Sequence, residues 1–216
     1  MRGLICDVLD VFSPTTCPGC DGPRWGRQAS TWCPCCVQRF PRAFFPVCPI
    51  PDGVESAWGF ADYRGVVGTG VRRGKYRPDP VALSELGLYV GRLASECGMR
   101  DFDVVAPVPQ SLASTIARGF SPVSILASCI AKELGVPWCD LLRSRSGISQ
   151  ASLPKRARQA NISGRYGARN ILLPQRILLV DDVVTTGATA SACAGALRGA
   201  GAGQVCFLAV TVSTRN

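Results

Sequence analysis

Between Arg176 and Gly201 the chain reads RILLVDDVVTTGATASACAGALRGAG, and this stretch constrains the fold more than any other. Ile177, Leu178, Leu179 and Val180 form a short, continuously apolar run, the pattern of a strand buried on both faces of a parallel sheet. Asp181 and Asp182 stand where that strand is expected to emerge. Thr185, Thr186, Gly187, Ala188 and Thr189 make a small-residue turn, and the Ala-rich run from Ala188 to Leu197 predicts a helix stopped by Gly199 and Gly201. Ligands of open α/β sheets bind beyond the carboxyl ends of the strands, and the unpaired N–H groups of a helix N-terminus suit a phosphate. Phosphate is therefore expected on the Thr185 to Thr189 turn, with two carboxylates one step upstream. Those acids repel a phosphate unless they face vicinal hydroxyls or a hydrated Mg²⁺, so the segment describes a site for a ribose phosphate. A Walker loop and a G-x-G-x-x-G fingerprint are both absent.

The run VDDVVTTGAT resembles the signature with which type I phosphoribosyltransferases bind 5-phosphoribosyl-1-pyrophosphate (PRPP). The resemblance implies the α/β fold of those enzymes, an open and mostly parallel sheet flanked by helices. It also implies that Asp181, Asp182, Val183, Val184, Thr185, Thr186, Gly187, Ala188 and Thr189 bind PRPP together with Mg²⁺, with Asp181 and Asp182 serving catalysis.

Size and charge narrow the alternatives. A chain of 216 residues with 47% hydrophobic content holds one α/β core and a small appendage. No apolar run approaches membrane-spanning length. The opening MRGLICDVLDVF carries Asp7 and Asp10 and has no small-residue cleavage site after it, so it reads as a short packing helix rather than a signal peptide. The cytoplasm is the expected address. Of the net charge of +9, all but one unit lies between Leu141 and Val180, where eight basic residues meet no acid. Such a block wants an anionic partner, either a polyphosphate ligand or nucleic acid, unless it is simply a solvated surface.

Twelve cysteines are present, and their spacing says more than their number. Cys17 and Cys20 form C-P-G-C, and Cys33 with Cys36 forms C-P-C-C, so the two C-x-x-C knuckles read as a four-thiolate structural Zn²⁺ site. With no histidine in the chain, a zinc site must lean on thiolate or carboxylate. Cys35 or Cys48 could replace Cys36 as ligand, and disulfides are the competing reading. Residues 13 to 51 show no sustained period and cannot bury a core of their own, which is why a metal is expected there. The division expected is an N-terminal helix and Cys₄ module over 1–52, then a phosphoribosyltransferase-like domain over 53–216.

Along that second part, Trp58, Phe60 and Tyr63 predict a strand or hairpin. Val66 to Val71 reads as a Gly-loosened segment running into Arg72, Arg73, Lys75, Tyr76 and Arg77, which is either an exposed basic turn or a segment that sets Lys75 over the ligand's phosphates. Pro80 to Met99 is periodic as a helix ended near Gly98. Asp103 to Pro109 predicts a second buried strand, and Val108-Pro109 resembles the pyrophosphate loop of phosphoribosyltransferases, its isomer left open by the sequence. Ser111 to Gly135 is helical but interrupted at Arg118–Pro122, Val136 to Leu142 is the next expected strand, and Gln204 to Val212 the last. The polar block from about 143 to 166 is long for an idle loop. In type I phosphoribosyltransferases a mobile loop closes over PRPP at the corresponding point, and here Lys155 and the arginines would neutralise the ligand and exclude water.

Taken in order, the paired cysteines, Gly74-Lys75-Tyr76, Pro107-Val108-Pro109, Arg118-Gly119-Phe120, Gln150 with Arg158 and Asn161-Ile162, and VDDVVTTGAT resemble the ComF family of bacterial competence-associated proteins. The chain departs from the family at Ser121, where Asn is common, and at Cys48, which stands alone. The resemblance implies a phosphoribosyltransferase-like domain joined to a zinc module, and a connection with DNA uptake. Two functions follow as expectations. One is an enzyme that transfers the phosphoribosyl group of PRPP to an unidentified nitrogen acceptor. The other is a non-catalytic PRPP sensor or a protein handling single-stranded DNA, although Tyr166 is the only aromatic stacking platform in the basic block. Single-stranded DNA and DNA-uptake proteins are the further partners considered, and a homodimer is left open.

Overall fold

The apolar runs read from the sequence become the strands of one sheet in the computed structural model, which describes residues 15–24, 30–76, 79–144, 165–169 and 174–213. In chain order the elements are β1 (Thr15–Thr16), β2 (Pro23–Arg24), α1 (Pro34–Val37), β3 (Phe45–Pro46), β4 (Ala57–Asp62), α2 (Val66–Tyr76) and α3 (Pro80–Glu96). There follow β5 (Val104–Pro107), α4 (Leu112–Arg118), α5 (Pro122–Leu134), β6 (Leu142–Ser144), β7 (Tyr166–Ala168), β8 (Arg176–Val184), α6 (Ala188–Gly199) and β9 (Gln204–Val212). The main sheet has the order β3-β4-β9-β8-β5, antiparallel at β3 and parallel elsewhere. This is the open, mostly parallel α/β sheet expected, flanked by helices. The N-terminal helix expected over Leu4 to Phe12 lies outside the described residues.

Alternation along β8 divides the core. Leu178 and Val180 join Leu208, Val210 and the buried residues of α2, α3 and α5, while Ile177 and Leu179 join Phe207, Ala209 and the buried side of α6. Both layers are apolar, so the strand is buried on both faces and its sequence shows no polar alternation. Helix α3 starts where Asp79 Oδ1 accepts the Ala82 N–H at 2.9 Å, with Pro80 at its first position. The interruption expected near Arg118–Pro122 separates α4 from α5. Gly119 adopts φ 76 there, and the Ser121 hydroxyl then accepts the Ser124 N–H to begin α5.

Three local expectations change. The segment from Val66 is a helix, α2, and not a loosened turn, because Val67 and Val71 bury one stripe while Gly70 lets the Trp32 ring lie against its backbone. Val136–Leu142 is not a full strand: Val105 donates to Pro137 O and accepts from Cys139, but Pro137 has no N–H to extend a ladder, and regular pairing begins only at β6. Strand β8 continues through Val184, so Asp181 and Asp182 lie inside it rather than beyond its end. The cis proline among the described residues is Pro49, after Cys48, and not Pro109.

Candidate functional site

Strand β8 delivers Asp181 and Asp182 to the carboxyl end of the sheet, and the chain then turns through Thr185, Thr186 and Gly187 into α6. Gly187 has φ 74, and a Cβ there would come within 2.9 Å of Pro51 Cγ, so both the sharp turn and its close packing require glycine. No side chain caps α6 at Gly187, which leaves its first N–H groups with little competition; Ala188 N meets Thr186 Oγ1 only at 3.4 Å. Asp181 and residues 183–190, with Phe207, line a cavity of about 40 Å³ at this turn. Thr189 also faces Tyr166 of β7, so the base of the loop over 143–166 touches the first turn of α6.

The two carboxylates differ in surroundings. Burial, then the negative charge of Asp182, pushes the Asp181 carboxyl well above the usual carboxylate range, against the opposing pull of the Asp182 N–H, which donates to Asp181 Oδ1 at 2.8 Å, and of Lys75. Asp182 is 4% exposed, and Lys75 Nζ lies 2.7 Å from its Oδ2. That oxygen takes no directional hydrogen bond, so the contact is ionic. The Asp182 carbonyl accepts the Thr211 hydroxyl at 2.7 Å, which ties the acid pair to β9.

Val108, at the end of β5, is buried, and its N–H donates to Val180 O at 2.8 Å. Beside it a groove of about 300 Å³ is lined by Pro107, Gln110, Asp140, Arg143 and Arg169 among others. Arg143 lies in β6 and Arg169 just after β7, the antiparallel pair at the base of the expected lid; the lid's interior with Lys155, Arg156, Arg158, Gln150 and Asn161 lies outside the described residues. Sequence reasoning named Lys75 but missed its partner. The signal was weak because the Lys75 to Asp182 pairing spans more than a hundred residues.

On the side of α2 that carries Arg73, the four sulfurs of Cys17, Cys20, Cys33 and Cys36 lie within 4.8 Å of one another. Zn–S bonds of about 2.3 Å in a tetrahedron separate sulfurs by about 3.8 Å, and Cys20 Sγ and Cys33 Sγ are 3.8 Å apart. Burial opposes ionisation of Cys17, yet N–H groups of Cys33, Gly19 and Cys20 hold its thiol down at about 7. Burial and the adjoining sulfurs push the Cys36 thiol up. A donor set of this kind fits zinc and leaves no coordination position for substrate. Cys35 and Cys48 are both exposed and neither belongs to the cluster, whose fourth member is Cys36.

No family model matches the chain. Among curated proteins it is similar to the adenine phosphoribosyltransferase of Corynebacterium jeikeium, 33% identical over 134 residues, which are 58% of this chain and 56% of that protein. It is also similar to the adenine phosphoribosyltransferase of Frankia casuarinae, 37% identical over 107 residues, 46% of this chain and 51% of that one. The chain spans about half the length of the curated relatives it matches. Among solved structures it overlaps the allosteric regulatory enzyme of purine biosynthesis with TM-score 0.46 and 20% identity, over 64% of this chain and 30% of that one. An adenine phosphoribosyltransferase overlaps with TM-score 0.39 and 13% identity, over 67% of this chain and 83% of that one. No single helix among the described residues is long and apolar enough to cross a membrane.

Proposed function

We propose that the chain binds PRPP and transfers its phosphoribosyl group to a nitrogen nucleophile. The observation that carries the reading is the run from Asp181 to Thr189: an acid pair near the carboxyl end of a buried strand, then a left-handed glycine and an uncapped helix N-terminus. The 5-phosphate is read onto the N–H groups of Thr185 to Thr189, with Val183 and Val184 shaping the approach. The ribose hydroxyls are read onto Asp181 and Asp182, which orient the ring. The pyrophosphate is read near Val108 and the cationic rim of Arg143 and Arg169, and Lys75 adds a cation beside the acid pair. In the reaction, the acceptor nitrogen donates its lone pair to C1′, the C1′–O bond to pyrophosphate breaks, and the nitrogen's proton passes to solvent. Mg²⁺ bound with PRPP would supply charge neutralisation on the leaving group, and no side chain need act as nucleophile. The proposed division is a Cys₄ zinc module over 1–52 and the transferase-like domain after it.

The resemblance to the ComF family adds a role in DNA uptake, and the basic groove at Arg143 and Arg169 is the observation that favours an anionic partner larger than PRPP. The test is pyrophosphate release from PRPP and Mg²⁺ across nucleobases and small amines, with Asp182→Asn as control. Acceptor-dependent release that Asp182→Asn loses supports the transferase and names its substrate class. Binding of PRPP without release by any acceptor moves the sensor or single-strand-handling reading to the front.

A further inference from the structure

Helix α2 lies between the cysteine cluster and the acid pair, and it presents a different stripe to each. Residues of an α-helix advance by about 100°, so positions two apart point to nearly opposite sides. Val67, Val71 and Lys75 recur every four residues; the two valines are buried against the sheet, and Lys75 continues their stripe to Asp182. Gly70 and Arg73 lie on the other side. A Cβ on Gly70 would strike the Trp32 ring. Arg73 Nη1 donates to Pro18 O at 3.1 Å and to Cys17 O at 3.4 Å, and Nη2 pairs with Asp21. Cys17 O also accepts the Asp21 N–H at 2.9 Å, so Arg73 holds the turn that orients Cys17 and Cys20.

The second knuckle is fastened elsewhere. Glu85 of α3 accepts from Thr31 N, Thr31 Oγ1 and Ser30 Oγ, and Trp32 Nε1 donates to Ala82 O at 3.1 Å. Arg73 therefore ties the first knuckle to α2 and Glu85 ties the second to α3, with the Trp32 ring lying against Gly70 of α2 as well, and the four sulfurs bring the two knuckles together. An ion shared by Cys17, Cys20, Cys33 and Cys36 locks the two grips in one geometry. Without it that cross-link would be lost, and the hold of Arg73 on the first knuckle would no longer be tied through the sulfurs to the hold of Glu85 on the second.

We propose that Arg73 is a positioning residue that transmits the state of the first knuckle to Lys75, so that zinc occupancy sets how well the acid pair takes PRPP. This rests on the PRPP reading of the site. With Lys75 seated, its ammonium lies against the buried Asp182 Oδ2 and offsets the repulsion between the adjoining carboxyls; with Lys75 turned away that oxygen loses its partner and the acid pair no longer holds its place for ribose hydroxyls. By linkage, PRPP in turn raises the affinity for zinc.

The experiment uses the full zinc-loaded chain and the variants Arg73→Met, Lys75→Met and their combination. Zinc content, PRPP affinity by calorimetry and the Lys75 ammonium signal in ¹⁵N-lysine spectra are recorded; with only three lysines in the chain the signal is assignable. Arg73→Met is expected to keep its zinc, to displace the Lys75 signal and to weaken PRPP binding about tenfold, and the double variant to bind no more weakly than Lys75→Met alone. Chelation of zinc from the wild type is expected to move the same signal. The proposal is overturned if the Lys75 signal ignores both Arg73→Met and chelation, or if the two substitutions add in full. If Arg73→Met does not fold, Arg73→Lys is read by the same three measurements, with half-way displacement expected and wild-type behaviour in all three overturning it. A wild type that binds no PRPP while the signal still moves sinks the reading of the site and leaves the seating of Lys75 by Arg73 intact.

Discussion

The carboxyl end of β8 with its following turn and helix α2 meet at an ion pair, Asp182 with Lys75, yet they are held in place by different means. The turn is local: an apolar strand, two acids, a glycine at φ 74 and a helix start, all within consecutive residues. Helix α2 is not. Its glycines at 68, 70 and 74 each cost about 1 kcal/mol relative to alanine in an isolated helix, so its shape depends on Val67 and Val71 in the core and on Trp32 and the first knuckle outside it. The acid half of the pair thus follows from short-range rules, and the basic half from long-range packing.

Gly70→Ala should break the second kind of order most severely, since the new methyl has to displace the Trp32 ring; a loss of about 3 kcal/mol is expected from overpacking, read as a lower urea midpoint with a weaker hold on zinc. Gly187→Ala attacks the local kind, combining a left-handed backbone with contact on Pro51. It should cost about 1 to 2 kcal/mol, and calorimetry should show PRPP affinity falling further than stability does. A Gly187→Ala variant that binds PRPP normally would remove the turn from the site.

A smaller effect concerns the acids. Because the Asp181 carboxyl has its pKa raised on folding, the ionised form opposes the fold: stability is greatest below the carboxylate's unfolded value and is lost as pH rises through the folded one. Asp181→Asn is therefore expected to raise the melting temperature of the ligand-free protein at neutral pH, with the gain shrinking toward acid pH, while PRPP binding is lost. A variant less stable than wild type at neutral pH would contradict this. The smallest change comes from Gly195 on α6, where a Cβ meets nothing within 4 Å. Gly195→Ala should stabilise by about 0.5 to 1 kcal/mol in thermal melts, the opposite sign to Gly70 in a helix of the same protein.

What could be read without the fold is instructive in its particulars. Strand β9 begins and ends at Gln204 and Val212 as expected, because its apolar run is bounded by Gly203 and a polar tail. The pair of C-x-x-C knuckles identified Cys17, Cys20, Cys33 and Cys36, since spacing alone places two sulfurs on each tight turn; choosing Cys36 over Cys35 needed the short helix α1, which buries one and exposes the other. The failures share a cause. Val136–Leu142 and Val66–Val71 carry ambiguous local signals, Pro137 in one and glycines in the other, and each was settled by a neighbour distant in sequence: Val105 for the first, Trp32 for the second.

By itself, the sequence determined the strand–acid–glycine–helix run and the four cysteines, because both are patterns whose geometry is fixed within a few residues by backbone conformation and apolar periodicity. Tertiary structure decided that α2 is a helix, that Lys75 reaches Asp182, that Arg73 holds the Cys17 turn, and that Glu85 fastens the other knuckle. Those contacts join residues dozens of positions or more apart, and packing a glycine against an indole or a lysine against a buried carboxylate leaves no periodic trace along the chain.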